Sequence, residues 1–432
     1  MTTILVLGGY GQIGRTIVAE CVKAGHWVVG FGRSMAKGQA SNPAIAWRVG
    51  DLRTLTRPQD FAPILKDIDV VINASGALQT GGQDNVARSQ QTAIIALIDA
   101  CEAHGVQRFI QISAPNVSAG DPIEFYATKA AADAHLAASR LSHTILRPGL
   151  VLSPTAYGGT ALLRMLAAVP IAQPIAYANA PVQTVGVDVV AKAAVRAITD
   201  ERLTNKAFDL VEARPQPLRT VVLDVREWLG FAKPRLTFDV GRPVARLVAR
   251  VADVAGRLGW RSPLRTTAMR VLDEGVVGDP GPWREATGET PAPLRATLAA
   301  LPSTPQERLY ARSALVFPTL LCLLAAFWFV SGLIGLLSRE DAIALIAGAV
   351  GRPMATLFLF CGAAIDIVVA AGLLWRRTVV AALLASIGVS LAYLVMGTIL
   401  TPEIWLDPLG PFVKVFAVIG LSAALLTQTG ER

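Results

Sequence analysis

The chain has 432 residues, enough for two or three domains, and carries a formal charge of +8 although only 17% of its residues are charged. Its mean hydropathy of +0.47 is too apolar for an ordinary cytosolic enzyme, and most of the excess lies after about residue 313. The mainly arginine surplus calls for an anionic partner, either a phosphate-bearing cofactor or acidic lipid. No basic stripe interleaves with stacking aromatics, which argues against nucleic acid.

Ile4-Leu5-Val6-Leu7 is a short apolar run that leads straight into Gly8-Gly9-Tyr10-Gly11-Gln12-Ile13-Gly14. It is too short for the apolar stretch of a secretory signal, so the soluble part is expected to stay in the cytosol. Glycines at 8, 11 and 14 between a strand and a helix allow a tight turn and close backbone approach to a pyrophosphate. They also aim a helix N-terminus at its negative charge.

Strands are then expected at Trp27–Phe31, Ala46–Val49, Val70–Asn73, Arg108–Ile112 and Thr144–Arg147, with helices such as Arg15–Ala24 and Ala93–His104 between them. That alternation is the βαβ pattern of a doubly wound parallel sheet. The second strand ends in Gly30-Phe31-Gly32-Arg33-Ser34, with no acidic residue to bind a ribose 2′-hydroxyl. Arg33 suits a 2′-phosphate instead, and Arg15 adds positive potential, so NADP(H) is expected over NAD(H). Residues 151–235 read as the C-terminal part of the same domain, strand-like at Val182–Val190 and Ala207–Val211.

From 236 to 312 the pattern changes. Pro243–Leu258 sets Val244, Leu247, Val248, Val251, Val254 and Leu258 on one helical face, with Arg246, Arg250 and Arg257 off it. Such a helix can lie in a membrane interface or pack on the sheet domain. The Pro-rich stretch Thr290–Pro305 reads as a linker.

Leu315–Leu337 contains no charge, and further apolar spans follow at 354–375, 378–400 and 412–427. A crossing needs ~20 apolar residues, so an all-α bundle of four transmembrane helices is expected over 313–432. The segment 338–353 is too short to cross and reads as a surface helix capped by Ser338 and Asp341. Arg308, Arg312, Arg376 and Arg377 flank one side of the spans, whereas the Thr401–Pro411 loop has Glu403 and Asp407 and no base. By the positive-inside rule both termini and the nucleotide domain face the cytoplasm, although Arg339 and Arg352 run against the trend.

Asp366 lies deep in a span, where a charge costs ~2.5–3.5 kcal/mol on insertion scales. It reads either as a contact for a proton, quinone or ion, or as a neutral acid bonded to a neighbouring backbone group or hydroxyl, such as Ser386 or Ser390. Among Trp328, Trp375 and Trp405, those near span ends read as interfacial anchors. Cys21, Cys101, Cys322 and Cys361 form no paired motif, and His26, His104, His135 and His143 show no ligand spacing. Reduced packing thiols and no metal are therefore expected.

The N-terminal landmarks resemble the extended and atypical short-chain dehydrogenase/reductases, including NmrA-like proteins, over residues 1–235. Within that resemblance Gly8, Tyr10, Gly11, Gln12, Ile13 and Gly14 form the phosphate loop. Asp51 and Leu52 are the turn at the adenine, and Ala74 and Ser75 belong to the loop lining the cofactor. Lys129 holds the nicotinamide ribose, Pro148 starts the turn beside the nicotinamide, and the stretch from Gln183 through Asp188-Val189 matches the C-terminal part. Family members that transfer hydride place a tyrosine four residues before the lysine, and here that position is Phe125. The usual serine position falls on Ala114.

Two readings stay open. In one, Tyr126 and Ser113 shift into use beside Lys129, giving a reductase or epimerase-like enzyme for a lipid, quinone or other amphiphile. In the other, the site binds NADPH without turnover, as an accessory or redox-sensing module. The last region, with Pro402-Glu403-Ile404-Trp405-Leu406-Asp407-Pro408 and Lys414, resembles a DoxX-like membrane domain, a family similar to small subunits linked to quinone chemistry. Nothing in the chain indicates an oligomeric state.

Overall fold

Strands buried on both faces must be apolar throughout, and the first strand, β1 (Thr3–Leu7), meets that demand with Ile4, Leu5, Val6 and Leu7 all fully buried. The computed structural model describes residues 1–78, 80 and 85–429. Among them, β1 pairs in parallel with β2 (Trp27–Gly32) and β4 (Val70–Asn73). The sheet extends through β3 (Ala46–Val49), β5 (Arg108–Ile112), β6 (Ser142–Pro148) and the Lys206–Leu210 strand. The order is Lys206–Leu210, β6, β5, β4, β1, β2, β3, seven strands among the described residues. It reverses between β1 and β4, and ligands of open α/β sheets bind at such a switch point, beyond the strands' carboxyl ends.

Helices cover both faces. Helix α1 (Gln12–Lys23) and the Val187–Arg196 helix bury Ile17, Val18, Val190 and Ala194 against one face. The Ala93–Ala103 and Glu124–Ala138 helices bury Leu97, Ile94, Ala132 and Leu136 against the other. The strand expected over Val182–Val190 is broken: Thr184–Gly186 is a strand, and a helix starts at Val187. Val187, Val190, Ala191 and Ala194 recur at helical spacing and are buried, and Asp188 sits in the first turn, where the helix dipole favours an acid. Helical packing overrides the β-propensity of the valines.

The stretch expected as a linker is also structured. Leu294–Ala300 is a helix with Leu294 and Leu298 buried, and Glu212 anchors it. The buried Glu212 carboxylate accepts from the Thr184 amide and hydroxyl at 2.8 Å, the Leu294 amide at 3.0 Å and Gln216 Nε2 at 2.9 Å. Trp283, in the Gly281–Thr287 helix, is buried edge-on to Phe208 at 5.6 Å. By their contacts, residues 1–252 and 263–311 form one unit, and residues 253–262 with 312–432 form another.

In the second unit, among the described residues, four helices are long and apolar enough to cross a membrane: Pro305–Leu337, Arg352–Leu374, Val379–Leu400 and Pro411–Thr429. Phe317, Leu324, Trp328, Leu373, Leu383 and Leu425 pack inside, while Leu323, Val368, Val395 and Ile399 stay exposed. An outer surface this apolar suits lipid rather than water. Cys322 and Cys361 share that outer surface instead of packing inside. Arg376 Nη2 donates to the Thr429 carbonyl at 3.1 Å and Ser313 to Gln428, which gathers three helix ends at one end of the bundle.

The short Arg339–Val350 helix is present, but no side-chain hydrogen bond from Ser338 caps it. Asp366 is buried and bonds neither Ser386 nor Ser390: Ser331 donates to it at 2.7 Å and Tyr393 at 2.8 Å. Ser386 instead accepts from Trp328 Nε1 at 2.9 Å, so this buried tryptophan is an interior group. Trp375 and Trp405 are exposed near helix ends.

Candidate functional site

The glycine loop leaves β1 through a turn closed by the Gly11 amide on the Gly8 carbonyl at 2.8 Å. Gly8 has φ +69, which a side chain rarely tolerates, and a Cβ there would stand 2.9 Å from the Ala74 carbonyl oxygen. The loops after β1 and β4 therefore touch at the switch point. A Cβ on Gly14 would fall 2.1 Å from the Gly8 carbonyl oxygen, so α1 packs against the loop at glycine distance.

Helix α1 begins at Gln12 with Gly11 as N-cap, and its first-turn amides have no acceptor within the helix. The Gln12 Nε2 amide is buried there with no acceptor among the described residues. Ile13 is partly buried against the core. An anion at this helix start would meet unused donors and find no acid in the first turn to repel it, which fits a dinucleotide pyrophosphate.

Tyr10 shapes the end of β2. Its phenol oxygen accepts from the Arg33 amide at 2.9 Å, and its ring fills the space beside Gly32, where a Cβ would lie 2.3 Å away. Trp47 tilts against that ring at 5.9 Å. Arg33 is exposed beyond it, and Ser34 caps the next helix by accepting from the Lys37 amide at 3.3 Å. Asp51 is bound by Arg53 at 2.5 Å, and these hydrogen bonds, with Arg33 adding charge, hold its carboxyl below the usual range. Leu52 packs at the edge of the core. Asp51, the acid at this corner, is already neutralised, and the balance of charge around Arg33 is positive.

Beyond β4 and β5 lies a buried polar layer that the spacing of its residues does not reveal. Asn73 donates to Gln111 at 2.9 Å and accepts from the Ser75 hydroxyl at 2.5 Å, which shapes the Ala74–Gly76 loop. Lys129 is buried, donates to the Ile112 carbonyl at 2.9 Å, and is pushed down to about 8 by burial. A Cβ on Gly76 would meet Gln90 Oε1 at 3.6 Å and Lys129 Nζ at 3.7 Å, so the glycine keeps a space open beside an acceptor and a donor. That pair fits ribose hydroxyls. Gln90 sits in the π-helical turn Ala87–Thr92, and its buried Oε1 has no donor among the described residues. Wider turns of this kind mark functional sites, yet nothing in the sequence around Gln90 announces one.

Ser113, expected as a candidate catalytic group, donates to Asp133 at 2.7 Å and is buried. Asp133 follows Lys129 by one helical turn. Burial raises its pKa, while Ser113, Lys129 and Arg147 oppose the rise. Arg147 lies 3.5 Å from it, just before the Pro148 turn. Gln183 supports that turn: its carbonyl accepts from the Leu150 amide at 2.9 Å, and its side chain links Glu212 and Gly278.

Phe125 presents its ring to Lys129 Nζ at 5.8 Å, the geometry expected for the missing tyrosine. Tyr126 turns the other way and is buried with Ala114 and Ile123. Burial, then Glu274 and Asp121, push its phenol up to about 12, opposite to what a proton donor near neutral pH needs. The structure thus brings Lys129, Gln90 and Phe125 together, puts Ser113 with Asp133, and leaves Tyr126 apart. Among the described residues no group of three or more metal-ligating side chains converges.

Residues 8–168 match a family model described as NAD(P)H-binding, and residues 325–423 match one described as a DoxX-like family. The chain is 28% identical over 216 residues to the photosystem II assembly factor Ycf39 of Synechocystis, covering 49% of this chain and 63% of that protein. It is 30% identical over 175 residues to the 2-alkyl-3-oxoalkanoate reductase of Stenotrophomonas maltophilia, covering 35% and 51%. The matched region thus spans between half and two thirds of these relatives' length. The solved structure of Bordetella bronchiseptica WbmG with NAD superposes with a TM-score of 0.54 at 15% identity, covering 73% of this chain and 96% of that one. At that identity the likeness shows a shared fold.

Proposed function

From the premise that the chain joins an NAD(P)-binding domain of short-chain dehydrogenase/reductase type to a DoxX-like membrane domain, we propose that it is a membrane-anchored NADPH-dependent oxidoreductase. Its substrate is an amphiphile, with both bundle termini and the nucleotide unit on the cytoplasmic side. The observation that carries the cofactor choice is the corner formed by Arg33, Ser34 and the Arg53-neutralised Asp51. A 2′-phosphate would be held by Arg33, the pyrophosphate by the amides at the start of α1, and the ribose by Lys129 and Gln90.

Bound NADPH supplies a hydride. The chain must then supply a proton, and Lys129 is suited to give it. Burial brings its ammonium to about 8, so Nζ can give and regain a proton near neutral pH. The Ile112 carbonyl fixes Nζ, and Asp133 one turn away favours the protonated form. Phe125 covers Nζ with an apolar ring and provides no proton of its own. Support for an amphiphilic substrate comes from the membrane unit and from the reductase relative, whose name specifies an alkyl-substituted 3-oxoalkanoate.

Phe125 also favours a second reading, in which NADPH is a held ligand and the protein an accessory module; one relative is named an assembly factor. Turnover separates the two. Full-length protein in nanodiscs, given NADPH and 2-alkyl-3-oxoalkanoates or quinones, should oxidise NADPH, and Lys129→Met should abolish this while Tyr126→Phe leaves most of it. NADPH that co-purifies and is never oxidised with any of these substrates supports the second reading instead.

A further inference from the structure

We propose that the Arg242–Arg257 helix lies in the headgroup region of an anionic lipid leaflet, with its valine and leucine face in the acyl boundary. At ~100° per residue the helix has three faces. The small face, Ala245, Ala249 and Ala252, is the buried one, and Ala245 and Ala249 pack with Met269, Val240 and Leu264. The large apolar face is left outside: Val244, Leu247, Val248, Val251 and Val254 are 40–63% exposed. A helix serving only to pack on a soluble domain would do the reverse, since burying leucine and valine is worth far more than burying alanine. Arg246, Arg250 and Arg257 occupy the third face, all exposed.

What covers the apolar face follows from where the helix ends. The Leu258 carbonyl accepts from the Arg376 amide at 3.0 Å, and Trp260 Nε1 donates to the Leu374 carbonyl at 2.7 Å. The Arg376 guanidinium stacks 5.5 Å from the Trp260 ring. Leu374 ends one spanning helix and Val379 starts the next, so this turn marks the edge of the hydrocarbon layer. A helix whose C-terminal end is pinned at that edge, and whose outward face is valine and leucine, meets lipid. The arginines lie beside that face, where their long side chains reach phosphate headgroups. Arg376 and Arg377 at the same turn add to the positive potential that selects an anionic leaflet.

The test uses the full chain in vesicles of phosphatidylcholine with phosphatidylglycerol as the minority lipid. Cys322 and Cys361 are replaced by alanine, and single nitroxide labels are placed through Leu247→Cys, Val251→Cys and Arg250→Cys. These positions are exposed, so no packing contact is lost. Collision with oxygen should exceed collision with a water-soluble nickel chelate several-fold at 247 and 251, and the order should invert at 250. Nickel dominance at 247 and 251 would show a face in water, and protection from both reagents would show a protein cover such as a second copy. Either result overturns the proposal. Changing Arg246, Arg250 and Arg257 together to glutamine should make the labels at 247 and 251 shallower. Unchanged depth in that variant, or in pure phosphatidylcholine, would overturn the preference for anionic lipid.

Discussion

Arg33 and Lys129 divide the chemistry between them, and each can be tested by one substitution. Arg33→Ala should weaken NADPH binding roughly tenfold or more, the scale of a lost charge-assisted hydrogen bond at about 1.5–3 kcal/mol, and leave NADH nearly unchanged. Titration of both nucleotides checks this, and equal losses would remove the 2′-phosphate role. Lys129 has a folded pKa of about 8 against 10.5 for the free side chain. Protonated Nζ is the active form in reduction, so the rate should fall as pH rises through about 8. Stability moves the other way: between those values the unfolded chain binds more protons, so the folded unit gains stability as pH rises. Denaturant melts of wild type and Lys129→Met should show that rise in the first and lose it in the second.

Among the elements, the parallel sheet was legible because central strands such as β1 are apolar on both faces and run into glycine, and α1 because Gly11 and Gly14 frame its start. The start of the Val187–Arg196 helix, as far as Val190, reads as a strand from sequence because valine-rich segments suit strands until their period is counted. The Leu294–Ala300 helix is hidden by flanking prolines, and what holds it, Glu212, lies far away in sequence. The polar layer of Gln90, Gln111, Asp133 and Arg147 is invisible for the same reason: each residue looks ordinary until the sheet brings them together. Phe125 and Tyr126 are easier to tell apart, because a one-residue offset on a helix turns a side chain ~100°. Glu212→Ala should destabilise the nucleotide unit by several kcal/mol, since each buried amide left without an acceptor costs about 1–3 kcal/mol. Thermal melts with and without nucleotide would report the loss, and an unchanged midpoint would contradict the anchoring role.

For the whole molecule, the proposed function places the nucleotide unit in the cytoplasm and turns the Arg376-Arg377 end of the bundle to the same compartment. A cysteine at Asp407, with Cys322 and Cys361 removed, should react with an impermeant maleimide from outside intact cells, and one at Arg377 only after permeabilisation. The reversed pattern would invert the topology. Cofactor choice, proton supply and substrate reduction all depend on which nucleotide the glycine loop holds. The direct measurement is calorimetric titration of the full-length protein in nanodiscs with NADPH and with NADH at one salt concentration. NADPH should bind at least tenfold more tightly, and Gly14→Ala, which forces a Cβ onto the Gly8 carbonyl, should remove binding of both. Equal or tighter binding of NADH, or no binding of either nucleotide, would contradict an NADPH-dependent oxidoreductase.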